Sequence, residues 1–185
     1  MLIRHNIIRK KKLAENNMFL VCGMSGGGKT VLSERILAKN KELNLVFFDP
    51  DMYYAEINGD ECIHENFFEV WIQMWIDIHN AEMEGKNVLI STNALTESQR
   101  TQFLEWFPSF KHHMIWVSAP KDICIKGNKA RRRQVPMNKF EKMCKRQEPP
   151  TNKENWDTIT EITNYWQDDY IVYKIKNNVK KLIKF

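Results

Sequence analysis

The chain lacks the clustered cysteines and histidines that build metal centres and disulfide frames. Cys22, Cys62, Cys124 and Cys144 are scattered and show no C-x-x-C spacing. That argues against a disulfide scaffold or zinc site and for reduced thiols in a cytoplasmic setting. The five histidines make no H-x-x-x-H or H-E-x-x-H pattern, and His112-His113, just ahead of an apolar run, reads as structural. No apolar stretch is long enough to span a bilayer, and no signal-peptide core follows the first residues, so no membrane partner is expected. Internal repeats and low-complexity linkers are also missing. With 185 residues, 43% hydrophobic and 28% charged, the composition is that of one globular domain with a sizeable core. The expected organisation is a basic N-terminal segment over 1–17 and a domain over 18–185. The mixed segment 1–17, with Leu2, Ile3, Ile7 and Ile8 among Arg4, Arg9, Lys10, Lys11 and Lys12, reads either as a solvated tail or as a strip touching nucleic acid.

Glycine is scarce, with seven in the chain, yet Gly23, Gly26, Gly27 and Gly28 fall in one octet, Gly23-Met24-Ser25-Gly26-Gly27-Gly28-Lys29-Thr30. This is G-x-x-x-x-G-K-[ST], the phosphate-binding P-loop. Its context is right: the apolar run Met18–Cys22 reads as a buried strand before it, and Val31–Lys39 as a helix after it. Glycines let successive N–H groups point inward, and the helix adds its positive N-terminal end. The octet, Ser25 included, thus cradles a polyphosphate. Lys29 reaches the β/γ-phosphates, and the Thr30 hydroxyl is placed to ligate Mg²⁺.

Further apolar runs follow at regular intervals. Leu45–Phe48, Val88–Ser91 and His113–Val117 read as buried strands. Phe67, Trp71, Met74, Trp75 and Ile78 recur at helical spacing, a stripe that reads as core. Thr96-Glu97-Ser98-Gln99 is a capping-box signature. A helix is expected from Lys121 towards Arg131-Arg132-Arg133, with Gly127-Asn128 able to break it, and another through Phe140, Met143 and Cys144. Residues 156–162 and 169–175 read as strands, and Val179–Phe185 as a short closing helix. The alternation predicts an α/β fold: a P-loop NTPase of nucleotide-kinase type, a three-layer α/β/α sandwich with a mostly parallel sheet and an arginine-bearing lid.

Three features narrow the chemistry. Asp49-Pro50-Asp51 ends the second strand, where ligands lie in open parallel sheets. Phosphoryl transfer to an alcohol needs a carboxylate to take the hydroxyl proton. Two acids one residue apart on a strand face opposite ways. The expected division is Asp51 as general base and Asp49 near Mg²⁺ or in structure. Arg131, Arg132 and Arg133 are candidates for a guanidinium that neutralises the transferring phosphoryl group. No guanine-reading N-K-x-D motif occurs, and no strand other than the second ends in an acid after an apolar run, which favours a small phosphotransferase over a switch or motor.

On these residues the chain resembles the polynucleotide 5′-hydroxyl kinase group of P-loop phosphotransferases, over most of 18–150 and for the kinase domain only. Asp51-Met52-Tyr53-Tyr54 resembles the family segment whose first Asp is the base. Ser91-Thr92-Asn93 resembles its Thr-Asn near the acceptor. Asn128-Lys129-Ala130-Arg131 with Val135-Pro136 resembles its lid, whose arginine contacts donor phosphates. The chain departs from the family at Tyr54, where an acceptor-binding arginine is usual, at Gly127, where the lid has arginine, and at Ser91, where an acid is usual. The resemblance implies ATP and Mg²⁺ as cofactors and 5′-OH ends of RNA or DNA as acceptor. It implies catalytic roles for Lys29, Asp51 and Arg131, acceptor-side roles for Asp51, Tyr54, Thr92 and Asn93, and metal contact by Thr30 and Asp49. The net charge of +5 and pI of about 9.0 suit a polyanionic partner. A small-metabolite kinase and an ATP-gated RNA-binding factor remain as alternatives.

Overall fold

Alternating apolar residues build the central strands, and both of their faces are covered. The structure, a computed structural model, describes residues 16–166, 169–176 and 179–183, with side chains through 164. The segment expected as basic lies, up to residue 15, outside the described residues. In β1 (Asn17–Gly23), Met18, Leu20 and Cys22 join one apolar cluster, while Val21 and Phe19 join a second. β3 (Asn87–Thr92) repeats the division, with Val88 and Ile90 on one side and Leu89 on the other. That period of two is the pleat of a strand buried on both faces.

Helices close each face. Leu32, Ile36 and Leu37 of α1 (Lys29–Lys39) cover one. The other takes Tyr53 and Tyr54 of α2 (Pro50–Asn58), Val70, Met74 and Ile78 of α3 (Phe67–Met83), and Phe103 of α4 (Glu97–Trp106). The predicted capping box opens α4: the Thr96 hydroxyl accepts from Gln99 N at 3.3 Å, and the Gln99 side chain accepts from Thr96 N at 3.2 Å.

The sheet runs β2-β3-β1-β4-β5-β6-β7, with β2 at Leu45–Phe48, β4 at Lys111–Ser118, β5 at Thr158–Trp166, β6 at Asp169–Lys176 and β7 at Val179–Ile183. The first five strands in that order are parallel; β6 and β7 add antiparallel. The chain leaves β1 towards β2 on one side and leaves β3 towards β4 on the other. Their carboxyl ends therefore frame the switch-point crevice where ligands of open α/β sheets bind.

Two expectations are corrected. Residues 179–183 form a strand, not a closing helix: β7 pairs with β6 from Val172↔Ile183 to Lys176↔Val179. Pairing satisfies the backbone groups that β6 would otherwise leave open, and Lys180 and Lys181 are typical of a protected outer strand. The second correction lies in α5 (Lys121–Ala130), which passes unbroken through Gly127-Asn128. There the glycine serves packing. A Cβ on Gly127 would stand 2.1 Å from the Gly26 carbonyl oxygen, so α5 lies directly on the P-loop backbone.

Candidate active site

The donor cradle is fixed from several sides. Gly26 has φ +76, and a Cβ on it would meet the Cys124 carbonyl at 2.2 Å and the Asn128 nitrogen at 2.6 Å. Gly28, with φ 94, caps α1 in the left-handed region that glycine adopts freely. Gly27 donates its N–H to Met24 O at 3.1 Å and accepts at its own carbonyl from Asn164 Nδ2 at 2.8 Å. Gly23 N donates to Asn93 O at 3.1 Å. Ser25 is buried. α1 thus follows a glycine loop held by its neighbours, and such a loop leading into a helix N-terminus is the arrangement that binds polyphosphate.

Lys29 opens α1 and folds back across this loop. Its Nζ donates to Met24 O at 2.9 Å and to Asn93 Oδ1 at 3.0 Å. Burial pushes its pKa down to about 8, with Asp49 pulling it up and Arg131 pushing it further down. Asn93, expected on the acceptor side, here touches the donor lysine and the loop.

The two acids are not on a strand, contrary to the expectation from their spacing. Asp49 is the N-cap of α2, Pro50 occupies its first turn, and Asp51 lies inside the helix. The Asp49 Oδ1 accepts from Asp51 N at 3.0 Å. Both carboxylates therefore serve one pocket rather than opposite faces. The signal was present in the sequence: Asp followed by Pro is a helix-start pattern as much as a strand end. Asp49 also accepts from the Ser91 hydroxyl; burial, reinforced by the Asp51 charge, raises its pKa above the usual carboxylate value. Ser91, where the resembled family has an acid, is thus a buried donor holding the acid from the neighbouring strand.

The arginines after α5 reach across to these acids. Arg131 donates to Ser25 Oγ at 3.2 Å and to Asp51 Oδ2 at 3.1 Å. Arg133 meets the other Asp51 oxygen at 3.0 Å and also touches His64. Arg132 instead pairs with Asp60 at 2.7 Å, at the surface. The segment is held by Asn128, which is buried; its side chain donates to Val135 O at 2.8 Å and accepts from Val135 N at 2.9 Å. Both oxygens of Asp51 are therefore engaged by arginine.

A pocket of about 200 Å³ joins these groups. Lys29, Thr30, Asp49, Asp51, Tyr54, Thr92, Asn93 and Arg131, all singled out from sequence, line it. So do Arg133, one of the three candidate arginines, Ser91 of the Ser91-Thr92-Asn93 segment, and three residues not read as site residues: His64, Phe67 and Trp71. Tyr54 and His64 stack at 4.1 Å between centroids. Burial and then the Arg133 charge hold the His64 pKa below the ordinary imidazole value. The aromatic stripe of α3, read as core, divides along its length: Met74 and Ile78 are fully buried, whereas Phe67 is 54% exposed and lines the pocket with Trp71.

The residues fit a magnesium ion. A hydroxyl (Thr30) and a carboxylate (Asp49) both line the pocket, hard oxygen donors of the kind Mg²⁺ takes when phosphate oxygens and water complete its shell. Among the described residues, no group of three or more His, Cys, Asp or Glu side chains is placed to hold a metal without such help. His112 and His113 are structural: His112 Nε2 meets Phe107 O at 2.9 Å, and His113 bonds Thr158 and Asn17. None of the described helices is long and apolar enough to cross a membrane.

Comparison with known proteins agrees with this architecture. In solved structures the fold is similar to a sugar kinase from Janibacter sp. HTCC2649 (16% identity, 81% of this chain and 85% of that one, TM-score 0.58). It is similar to Chaetomium thermophilum Kti12, solved with ADP-AlF3 (14% identity, 82% and 90%, TM-score 0.61). It is also similar to a chain of the Pnkp1/Rnl/Hen1 RNA repair complex (12% identity, 74% and 46%, TM-score 0.64). At these identities the likeness is one of fold. No curated protein matches the chain in sequence. A family model described as an AAA domain matches residues 18–150, the span that holds the P-loop, both acids and the arginine segment, and the chain belongs to that family, with a kinase-like P-loop fold.

Proposed function

We propose that the protein is an ATP- and Mg²⁺-dependent kinase that transfers the γ-phosphoryl group to a hydroxyl, the 5′-OH end of RNA or DNA. The observation that carries this reading is the single pocket in which Lys29 and Thr30 meet Asp49, Asp51 and Arg131. In this reading the loop amides and Lys29 hold the donor phosphates. Thr30 and Asp49 hold Mg²⁺, which when bound offsets charge on the phosphate oxygens. Asp51 accepts the acceptor hydroxyl proton as that oxygen bonds to the γ-phosphorus and the bond to ADP breaks. Arg131 moves from Asp51 to the transferring group, where its charge stabilises the transition state and frees the base.

The polynucleotide acceptor rests on the resemblance of residues 51–54 and 128–131, the basic charge, and the wall of Tyr54, His64, Phe67 and Trp71 opposite the cradle. Sugar kinases share the fold, as does a chain of an RNA repair complex, so fold alone does not choose between acceptors. Labelled γ-phosphate offered with 5′-OH oligonucleotides and with a panel of nucleosides, nucleotides and sugars makes the choice. Label on the oligonucleotide 5′ end is expected. Label on a metabolite alone replaces the acceptor, and RNA binding that needs ATP without any labelled product replaces the kinase.

A further inference from the structure

A second concavity opens beside the pocket and shares three of its residues. His64, Asn93 and Arg133 line the pocket and also a groove of about 590 Å³. The groove runs along α6 (Met137–Arg146), where Lys139, Lys142 and Arg146 line it. These residues, spaced at i, i+3 and i+7, fall on one helical face. The opposite side of the helix carries Phe140, fully buried in the core.

A basic helix face is usually only solvated, and three features set this one apart. Two of the cations around it are tied to acids: Lys121 pairs with Glu141 at 2.7 Å and Arg132 with Asp60 at 2.7 Å. Lys139, Lys142 and Arg146 have no acid within ion-pair distance among the described residues. The cations flank an apolar floor of Val135, Pro136 and Met143, suited to sugar faces between phosphates. Finally, the row begins at the mouth of the pocket that holds Asp51. At 1.5 Å per residue, Lys139 to Arg146 covers about 10 Å of helix, a length over which a nucleic acid strand presents more than one phosphate.

We infer that this groove binds the sugar–phosphate backbone of a nucleic acid strand, next to the terminal nucleoside whose hydroxyl enters the pocket. The inference rests on the polynucleotide reading for its direction, but its binding chemistry is separable. Lys139, Lys142 and Arg146 form charge-assisted contacts to successive phosphates, and Arg133 stands at the junction.

The test is binding of a fluorescent single-stranded 5′-OH 12-mer to the full chain, by anisotropy across a salt series. The comparison is with the triple variant Lys139→Ala, Lys142→Ala, Arg146→Ala and with Lys145→Ala, a lysine of the same helix outside the groove. The wild type is expected to bind with strong salt dependence. The triple variant should bind at least tenfold more weakly, and its slope of log K against log salt should flatten by about 2, from about 0.7 per phosphate contact on single strands. Lys145→Ala should behave as wild type. Circular dichroism and ATP affinity check that the triple variant is folded. A wild type that does not bind the 12-mer, a folded triple variant with unchanged slope, or an equal loss in Lys145→Ala overturns the groove. If binding follows the groove but no phosphate is transferred, the groove stands and the kinase reading falls. If transfer proceeds equally well in the triple variant and binding is unchanged, the kinase reading stands and the groove falls.

Discussion

The two sides of the pocket are built from different materials. The donor side is backbone: Gly26 lies against Cys124 and Asn128, Asn164 and Asn93 pin the loop, and Lys29 is the main side chain aimed across it. The other side, which the proposed reading gives to the acceptor, is side chains from separate stretches, Asp51, Tyr54, His64, Phe67, Trp71, Arg131 and Arg133, joined by ion pairs and stacking. A polyphosphate is the same in every nucleotide, and a rigid amide cradle suits it. An acceptor varies, and side chains can be exchanged without disturbing the loop. A similar contrast separates two ion pairs. Arg100–Glu154, at 2.5 Å, is 0% and 1% exposed, whereas Arg131–Asp51, at 3.1 Å, is 33% and 26% exposed. Burial makes the first a matter of folding, whereas the second stands partly in solvent at the pocket.

The largest effects on turnover are expected at the partly exposed pair. Arg131→Ala should lower kcat about 10³-fold or more, the range for a guanidinium at a transferring phosphoryl group, while thermal stability changes little, because a partly exposed pair is worth about 0–1 kcal/mol. Asp51→Asn should lower kcat about 10²- to 10⁴-fold, as loss of a general base does, with ATP affinity retained. Steady-state kinetics beside thermal melts separate the two quantities. If Arg131→Ala melts far below wild type, the pair is structural and the contrast between the two salt bridges collapses.

The buried pair should show the reverse. Arg100 donates to both Glu154 oxygens and to the carbonyls of Leu95 and Glu148, and its guanidinium lies 5.5 Å from the Trp116 ring centroid. Trp156 Nε1 adds a further bond to Glu154 at 3.2 Å. Removing one partner leaves the other charged and uncompensated in the interior, so Glu154→Ala should cost about 3–5 kcal/mol. Urea unfolding measures it. Transfer per folded molecule should stay near wild type, since neither residue lines the pocket.

That division also explains what could be read from the sequence. The P-loop was legible because backbone binding needs closely spaced glycines, and the unbroken apolar runs at 18–22, 45–48 and 88–91 are what strands buried on both faces require. Asp49 and Asp51 were recognised, yet their helix was missed, since Asp-Pro reads equally as a turn. Phe67 and Trp71 share the helical spacing of Met74 and Ile78, and spacing cannot show where along α3 the core ends and the pocket begins. Arg133 stands in the arginine cluster that the sequence singles out, whereas His64 carries no local pattern, and only the fold brings either to the pocket of Asp51. Val179–Ile183 matches a short amphipathic helix as well as a strand, and the open edge of β6 decided it.

Gly127→Ala probes the backbone side more gently. The added methyl would stand 2.1 Å from Gly26 O, so α5 and the P-loop must part. Overpacking of this kind costs about 1–3 kcal/mol, although alanine favours the helix itself. The melting temperature should fall and ATP affinity should weaken with it, because the displaced atoms belong to the cradle. The acceptor KM should move less. A variant that loses acceptor affinity instead would mean that α5 positions the arginine segment more than it supports the loop.

The smallest effect concerns the proton on Lys29. Its folded pKa, about 8, lies below the ordinary lysine value of 10.5 because burial disfavours the charge. Between those values the unfolded chain binds more protons than the folded one, so this group makes the free protein more stable as pH rises from about 8 towards 10.5, and its cost is fully present below about 8. ATP binding should run the opposite way. Only the charged lysine attracts the triphosphate, and the bound anion raises its pKa in turn, so binding above pH 8 takes up a proton. Affinity should fall by up to about tenfold per pH unit there, and calorimetry in two buffers of different ionisation enthalpy should register the uptake. Lys29→Met should abolish both the uptake and the pH dependence. If wild-type affinity stays flat from pH 7 to 10, the lysine remains charged throughout, and the fixed amides with their single buried cation are a less strained arrangement than the geometry indicates.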